Sequence, residues 1–290
     1  NIHTLVQSYN VDSQNGIKDP VGMTGIRLES ETILIMALSS QIKNITKCVF
    51  RAGVSVEDVV LGPLAASENA LTSKQKELGT VLIDIGGSTT KMVVFEDGNF
   101  LHAAIIPIGS IHITSDIAIG LRSPIDSAEQ IKLEYGNALA KQVRKREMIV
   151  LSEFDDAETE SVSRKQVAGI IEARVEEIFN RVDAELKKIK RSGRLPAGVV
   201  LVGGGAKLSG MVDAAKQYLR LPVSLGFPKE VDKTVDKVND LSFSTALGLI
   251  YWGASSSESS SMYSMSLTRG FKKMVDRVPS IKNIIGFLRP

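Results

Sequence analysis

The sequence predicts an α/β fold, and three stretches carry this prediction. Residues 81–85 are apolar except for Asp84, and residues 199–202 are all apolar. Both runs are typical of strands buried on two faces, and both continue directly into glycines. Residues 163–190 carry apolar side chains at a spacing of three and four, which is typical of a long amphipathic helix.

The composition narrows the class of protein. The 290 residues are enough for two domains, and 43% apolar with 23% charged residues is ordinary for a globular protein. Aromatic residues make up only 5%, which argues against a platform that stacks bases, so we expect no nucleic-acid partner. No apolar run reaches the length of about 18 residues that predicts a transmembrane helix.

The cysteine and the histidines predict no metal site. Cys48 is the only cysteine, so no disulfide can form within the chain, and the helical pattern around it predicts a buried thiol. The three histidines, His3, His102 and His112, do not have the spacing of metal ligands.

The chain before the run 81–85 is predicted to alternate strands and helices. The predicted elements are a strand from Ile2, an exposed strand from Arg27 that becomes buried over residues 32–36, a helix from Ser39 or Ser40 to Gly53, a short strand over 59–61 and a helix over 63–71. The first helix is expected to turn Ile42, Ile45, Val49 and Phe50 inward.

The first glycine turn, residues 86–89, is the first candidate site. Its two glycines are expected to form a tight turn with positive φ, in which backbone N–H groups point at an anion. Ser88 and Thr89 add hydroxyl donors, and Asp84 could hold a cation beside a phosphate. The alternative is a hairpin turn with a satisfied Asp and no ligand.

The middle of the chain is predicted to return twice across a sheet and then to become helical. The predicted elements are strands over 92–95 and 100–106 joined by a hairpin at 96–99, helices over 113–121 and 127–135 with Asp126 as a cap, and the long helix over 163–190. Residues 145–162 show no strong periodicity.

The second glycine turn, residues 203–206, follows the run 199–202. A helix is expected to follow, capped by Ser209, and a last packed helix is expected over 243–251. Ligands in open α/β sheets lie outside the carboxyl ends of the strands. We therefore expect the two glycine turns to close on one ligand.

The C-terminal part changes in composition. Residues 253–268 are rich in serine and predict a disordered linker, and residues 269–290 alternate large apolar with basic residues. This pattern is typical of a helix lying on an anionic membrane. The membrane-binding residues are predicted to be Phe271, Lys272, Lys273, Met274, Val275, Val278, Ile281, Ile284, Ile285 and Leu288. The alternative is a helix that docks on the protein's own core or on a partner.

Several segments together resemble the bacterial actin-like cell-division protein FtsA. They are residues 15–27, 84–90, 106–118, 128–132 and 203–206, followed by a linker and a basic tail. The resemblance implies an actin-like (ribonuclease H-like) ATPase fold, incomplete at the N-terminus, with a C-terminal amphipathic helix. It implies that residues 1–79 contain the end of a family-specific subdomain and part of the first actin-like domain. Residues 80–252 would form the second actin-like domain, with an inserted subdomain at about 124–198 and a last helix returning to the first domain. The linker and the membrane helix would follow.

The resemblance also implies a function. FtsA-like proteins bind ATP and Mg²⁺ in a cleft, self-associate into filaments and tether the tubulin-like FtsZ ring to anionic lipids at the cytoplasmic face of the division septum. By matching positions, the residues implied at the nucleotide are Asp84 at the metal, Gly86, Gly87, Ser88 and Thr89 at the phosphates, Glu129 and Lys132 at the nucleoside, and Gly203, Gly204 and Gly205 at the adenosine.

Three positions depart from the family's pattern. Ser88 stands in place of a glycine, Lys91 in place of an Asp that actin-like ATPases often place near the metal water, and Ile111 in place of an Asn. A lysine at position 91 could hold phosphate but would not organise Mg²⁺, so at most weak ATPase activity is expected and no catalytic residue is assigned. The alternatives are an adaptor of type IV pilus assembly and an ATPase or kinase of the same superfold.

Overall fold

The computed structural model describes residues 1–154, 161–227 and 240–258. The chain divides into two units, Asn1–Tyr251 and a second that begins at Trp252, and the second is described only over residues 252–258. Within the described residues, no helix is both long and apolar enough to cross a bilayer.

The chain begins with a small antiparallel sheet. Its strands are β1 (His3–Val11), β2 (Gln14–Ile17) and β3 (Leu28–Ile35), in the order β2-β1-β3. The predicted burial of residues 32–36 is wrong, because β3 is an edge strand on which Leu34 is 56% exposed, and Met36 beyond its end is 75% exposed.

Helix α1 (Ser39–Arg51) has the predicted length but not the predicted packing. It buries no residue, and Ile45 and Phe50 are exposed, so the expectation of an inward apolar face is wrong. Cys48 on this helix is exposed rather than buried. Neither predicted serine caps the helix: the N-cap is Leu38, and no side chain makes a capping hydrogen bond.

Two helices lead into the main sheet. The chain over 59–61 is irregular rather than a strand, and α2 (Gly62–Ala70) then buries most of its residues. Helix α3 (Ser73–Leu78), which the sequence analysis missed, is opened by a capping box. Thr72 Oγ1 accepts from the backbone N–H of Gln75 at 3.1 Å, and Gln75 Oε1 accepts from the backbone N–H of Thr72 at 2.9 Å.

The main sheet has its first three strands in one antiparallel meander. They are β4 (Thr80–Ile85), β5 (Thr90–Glu96) and β6 (Asn99–Ile106), as predicted, and all six residues of β4 are buried. Asp97 and Gly98 both have positive φ in the β5–β6 hairpin. Such a turn matches the twist of the strands that it joins.

Helices then cover the sheet. They are α4 (Ser110–Leu121), α5 (Ile125–Tyr135) and, after the short hairpin β7 (Met148–Val150) and β8 (Ser161–Ser163), the long helix α6 (Arg164–Lys188). The predicted stripe of α6 is confirmed, since Val167, Ile171, Val175 and Phe179 are fully buried. The predicted cap of α5 is wrong, because Asp126 lies in its first turn and Pro124 is the N-cap.

The last elements complete the sheet on its other side. They are β9 (Val199–Val202), α7 (Met211–Leu219), β10 (Val223–Leu225) and α8 (Ser244–Glu258). The strand order is β10-β9-β4-β5-β6, in which β9 is parallel to both β10 and β4. Helix α7 is preceded by Gly210 with φ +78°, so the predicted cap Ser209 is wrong.

The C-terminal predictions lie mostly outside the described residues. Helix α8 continues to Glu258, so the predicted linker does not begin at residue 253. The rest of the linker, the tail over 269–290 and every predicted membrane-binding residue lie outside the described ranges. The predicted domain boundaries stay predictions.

Candidate functional site

The two glycine turns leave the same edge of the sheet. Strands β4 and β9 are neighbours and parallel, with Asp84 opposite Val202 in the register. Both turns follow the carboxyl ends of these strands, which is the edge where α/β proteins bind ligands. The two turns therefore lie close together, as expected, and their closing on one ligand stays a prediction.

The first glycine turn is a hairpin turn between β4 and β5. The backbone N–H of Gly86 donates to the carbonyl of Thr89 at 3.0 Å. Neither Gly86 nor Gly87 has positive φ, so this expectation is wrong. Their carbonyls accept from the backbone N–H groups of Ser110 and Ile111, at 2.9 Å each. The first turn of α4 thus holds this loop in place through two backbone hydrogen bonds.

A glycine outside the predicted site makes this contact possible. A Cβ on Gly109 would lie 2.6 Å from the carbonyl oxygen of Gly86 and still closer to that of Gly87. Gly109 is extended, with φ −148° and ψ −167°, so the constraint there is steric. The sequence signal was the glycine directly before the predicted helix, but its neighbour across the fold was not visible in one sequence.

The second glycine turn packs directly against the end of β4. Gly203 has φ +87°, and a Cβ there would lie 2.6 Å from the carbonyl oxygen of Ile85 and would overlap Asp84 Oδ1. A Cβ on Gly205 would overlap the side chain of Ile85. Gly204 is exposed, and Ser242 Oγ is the one described atom near its Cβ position, at 3.4 Å. Gly203 and Gly205 are therefore required by close packing, and Gly204 faces solvent.

Asp84 lies between the two turns. It is 6% exposed, and its Oδ2 lies 3.5 Å from Lys91 Nζ and 3.4 Å from the Thr245 hydroxyl that donates to it. Lys91 is the residue opposite Asp84 in the β4–β5 register. The sequence analysis noted Lys91 as a departure but missed Thr245, which comes from α8.

Glu129 and Lys132 contact each other on α5. Lys132 Nζ lies 2.7 Å from Glu129 Oε2 and donates to Thr114 Oγ1 of α4 at 2.9 Å. Burial raises the pKa of Glu129, but the hydrogen bonds from Lys132 and Thr114 outweigh this effect, so the net pKa is lowered. Lys132 Nζ also lies 3.5 Å from the carbonyl oxygen of Ser110. This cluster therefore supports the end of α4 that holds the first glycine turn.

The end of α5 continues to the second glycine turn. The backbone N–H of Ala138 donates to the carbonyl of Ser209 at 2.8 Å, and Asn137 Oδ1 lies against Gly210. The first glycine turn therefore contacts α4, α4 contacts α5, and the end of α5 contacts the second glycine turn. Gly203 of the second turn in turn packs against the end of β4.

A third segment fixes the second turn from the C-terminal side. The backbone N–H of Gly203 donates to the carbonyl of Leu241 at 3.0 Å, and Lys207 Nζ lies 2.7 Å from Asp240 Oδ2. The hydrogen bonds from Lys207 and Ser242 lower the pKa of Asp240 to about 2.

The exposed residues of the two turns leave room for an anion. Gly87, Ser88 and Gly204 are exposed, and no described residue lies within 4 Å of a Cβ position on Gly87, so the backbone there is open to a phosphate. Asp84 is already paired with the cation of Lys91, and the described part of the chain contains no group of three or more His, Cys, Asp or Glu that could hold a metal ion. The nucleotide roles of the ten predicted site residues stay predictions.

Two cavities lie away from this site. One, of about 360 Å³, is lined by Val11 and residues 20–28, and one of about 320 Å³ lies between β3 and β6. Both border the small N-terminal sheet, so neither joins the two glycine turns.

Comparisons with known proteins identify the family. The family model "Cell division protein FtsA" matches residues 81–248, and "SHS2 domain inserted in FTSA" matches residues 1–36. The FtsA proteins of Pseudomonas aeruginosa and Neisseria meningitidis are 40% and 39% identical over 87% and 86% of this chain. The chain spans 60% and 61% of their lengths.

Solved structures agree at the level of the fold. A PilM–PilN type IV pilus biogenesis complex matches with a TM-score of 0.60 at 18% identity, covering 78% of this chain and 62% of that one. ADP-bound MreB5 of Spiroplasma citri matches with a TM-score of 0.56 at 16% identity, covering 89% and 91%. These likenesses confirm the actin-like α/β fold, and the family match over residues 81–248 places this chain in the FtsA family.

Proposed function

We propose that this chain is the nucleotide-binding part of a cell-division protein and binds ATP between its two glycine turns. The protein links the FtsZ ring to the cytoplasmic face of the bacterial membrane at the septum. The observation that carries the proposal is the meeting of the two glycine turns at Asp84 in a chain of the FtsA family. The relatives' printed name supports the role in division.

Different residues would hold the phosphates and the adenosine of the nucleotide. The backbone of the first glycine turn, with Ser88 and Thr89, would hold the phosphates, and the exposed Gly204 would let the adenosine approach the backbone. Glu129 and Lys132 would support the nucleoside side of the site, since their pairing fixes both side chains. We propose binding rather than turnover, because no general base is assigned among the described residues.

The link to the membrane is proposed from the sequence of the tail. Residues 267–290 contain six lysines and arginines and one acidic residue. Each cation near an anionic membrane surface contributes about 1 kcal/mol, so the net charge would add on the order of 5 kcal/mol before screening. The apolar residues between the cations would enter the interface.

The nucleotide site is tested by replacing Gly204. A valine side chain would stand where the adenosine approaches, so we expect Gly204→Val to reduce ATP affinity by at least about tenfold in titration calorimetry. Gly169→Val is the matched control, since the Cβ position of Gly169 on α6 is also open. Equal affinity in both variants would show that the second glycine turn does not contact the nucleotide.

The membrane role is tested by co-sedimentation with vesicles. We expect the full chain to sediment with vesicles of anionic phosphatidylglycerol but not with neutral phosphatidylcholine, and the chain without residues 267–290 to remain in the supernatant. Purified FtsZ added to the anionic vesicles should sediment only with the full chain. If the chain binds these vesicles but never brings FtsZ with it, the division adaptor is wrong, and the pilus alternative gains support.

A further inference from the structure

The ammonium group of Lys91 lies at the edge of the sheet where the phosphates are proposed to bind. Lys91 and Asp84 are directly opposite each other on the antiparallel strands β5 and β4, and Nζ lies 3.5 Å from Oδ2. The strand register fixes this pair, and opposite charges at such positions stabilise a sheet. The side chain of Lys91 is 32% exposed while that of Asp84 is 9% exposed, so the cation faces outward and the carboxylate lies beneath it.

The carboxylate of Asp84 has polar partners at one oxygen and a close packing contact at the other. Its Oδ2 also accepts the Thr245 hydroxyl at 3.4 Å, and its Oδ1 fills the space where a side chain on Gly203 would stand. Mg²⁺ requires a near-ideal octahedron of oxygens and is usually held by one or two free carboxylates with substrate phosphates. A neighbouring ammonium opposes a second cation at the same oxygen.

We propose that the Lys91 ammonium replaces the metal in this protein, so that a nucleoside triphosphate binds as the free anion without Mg²⁺. The inference depends on the proposed nucleotide site and concerns how that site compensates charge. Lysine binds phosphate as a compact point charge, and the partial exposure of Lys91 lets Nζ contact Asp84 and a phosphate together. The resemblance at residues 84–90 implied a metal at Asp84, and the present proposal assigns its charge to Lys91 instead.

The test compares ATP affinity with Mg²⁺ and with EDTA by titration calorimetry. We expect the affinity of the unaltered chain to change by less than about threefold between the two conditions, and Lys91→Met to lose at least about tenfold in both. The matched control is Lys187→Met on α6. Lys187 pairs with Asp183 at 2.7 Å, and the Asp183 side chain is also 9% exposed, so this variant loses a comparable ion pair outside the two glycine turns.

A second variant keeps the test decisive if Lys91→Met folds poorly. Lys91→Asp places two carboxylates opposite each other, which destabilises the sheet until a divalent cation binds between them. We expect the Tm of Lys91→Asp, measured without nucleotide, to rise with added Mg²⁺, and the Tm of the unaltered chain not to change.

The outcomes separate this inference from the proposed function. ATP binding by the unaltered chain that requires Mg²⁺ would overturn the inference and leave the nucleotide site standing. Full affinity in Lys91→Met would also overturn it. No ATP binding under either condition would overturn both the inference and the proposed site.

Discussion

The two glycine turns leave neighbouring strands and look alike in sequence, yet they need glycine for different reasons. In the second turn the requirement lies in the turn itself, because Gly203 has φ +87° and packs on Asp84 and Ile85. In the first turn neither glycine has positive φ, and the tightest steric requirement falls on Gly109, which closes α4 onto the loop. A run of glycines therefore identifies a turn but not the residue that the fold depends on.

The largest expected effect is at Gly203. Gly203→Ala combines a backbone conformation that only glycine adopts easily with overlap onto Asp84, so we expect a loss of about 3–5 kcal/mol in the free energy of unfolding. Urea denaturation followed by circular dichroism measures this loss.

Gly204→Ala is the matched control within the same turn. Its Cβ position is open, and φ is not positive, so we expect a change below about 1 kcal/mol. Equal losses in the two variants would contradict the assignment of packing to Gly203 and ligand approach to Gly204.

A smaller effect is expected at Gly109. Alanine can adopt the φ and ψ of Gly109, but its Cβ would force α4 away from the carbonyls of the first glycine turn. We therefore expect Gly109→Ala to lose about 1–3 kcal/mol in the free energy of unfolding. The backbone N–H groups of Ser110 and Ile111 should also exchange faster with solvent, which hydrogen exchange measures residue by residue.

Gly87→Ala tests the first glycine turn at a position where a side chain has room. Because none of the residues that the structure describes lies within 4 Å of its Cβ position, we expect almost unchanged stability. A larger loss at Gly87 than at Gly109 would reverse the account of this turn.

The smallest effect concerns the ion pair that fixes the second turn from outside. The pKa of Asp240 is lowered from 3.8 to about 2, so its ionised form stabilises the fold above pH 3.8, and this contribution disappears as the pH falls from 3.8 towards 2. Since the side chain is 34% exposed, we discount the contribution to about 1 kcal/mol.

Asp240→Asn keeps the capping oxygen and removes the charge. We expect this variant to be less stable than the unaltered chain at pH 6, and the difference to shrink as urea denaturation is repeated towards pH 3. A difference that stays constant with pH would show that the carboxylate does not titrate as proposed.

The sequence predicted the buried main sheet well. Strand β4, the long helix α6 and the approach of the two glycine turns follow from apolar runs and parallel strand ends, which are local patterns with one dominant cause. Contacts between distant residues were not accessible, so the pairing of Thr245 with Asp84 and the role of Gly109 were missed.

The wrong predictions of burial lie before residue 62. Helix α1 has an apolar stripe with no buried residue, and β3 is an edge strand with exposed apolar side chains. Periodicity predicts which residues share a face, but it does not state whether a neighbour covers that face. The same limit explains why Cys48 was expected to be buried.

The position of Asp84 has a consequence for how this site evolves. The carboxylate of Asp84 fills the space beside Gly203 and pairs with Lys91, so these three positions share one volume and one charge balance. A substitution at any of them is expected to be tolerated only with a matching one at another. Positions 84, 91 and 203 should therefore be inherited as a group.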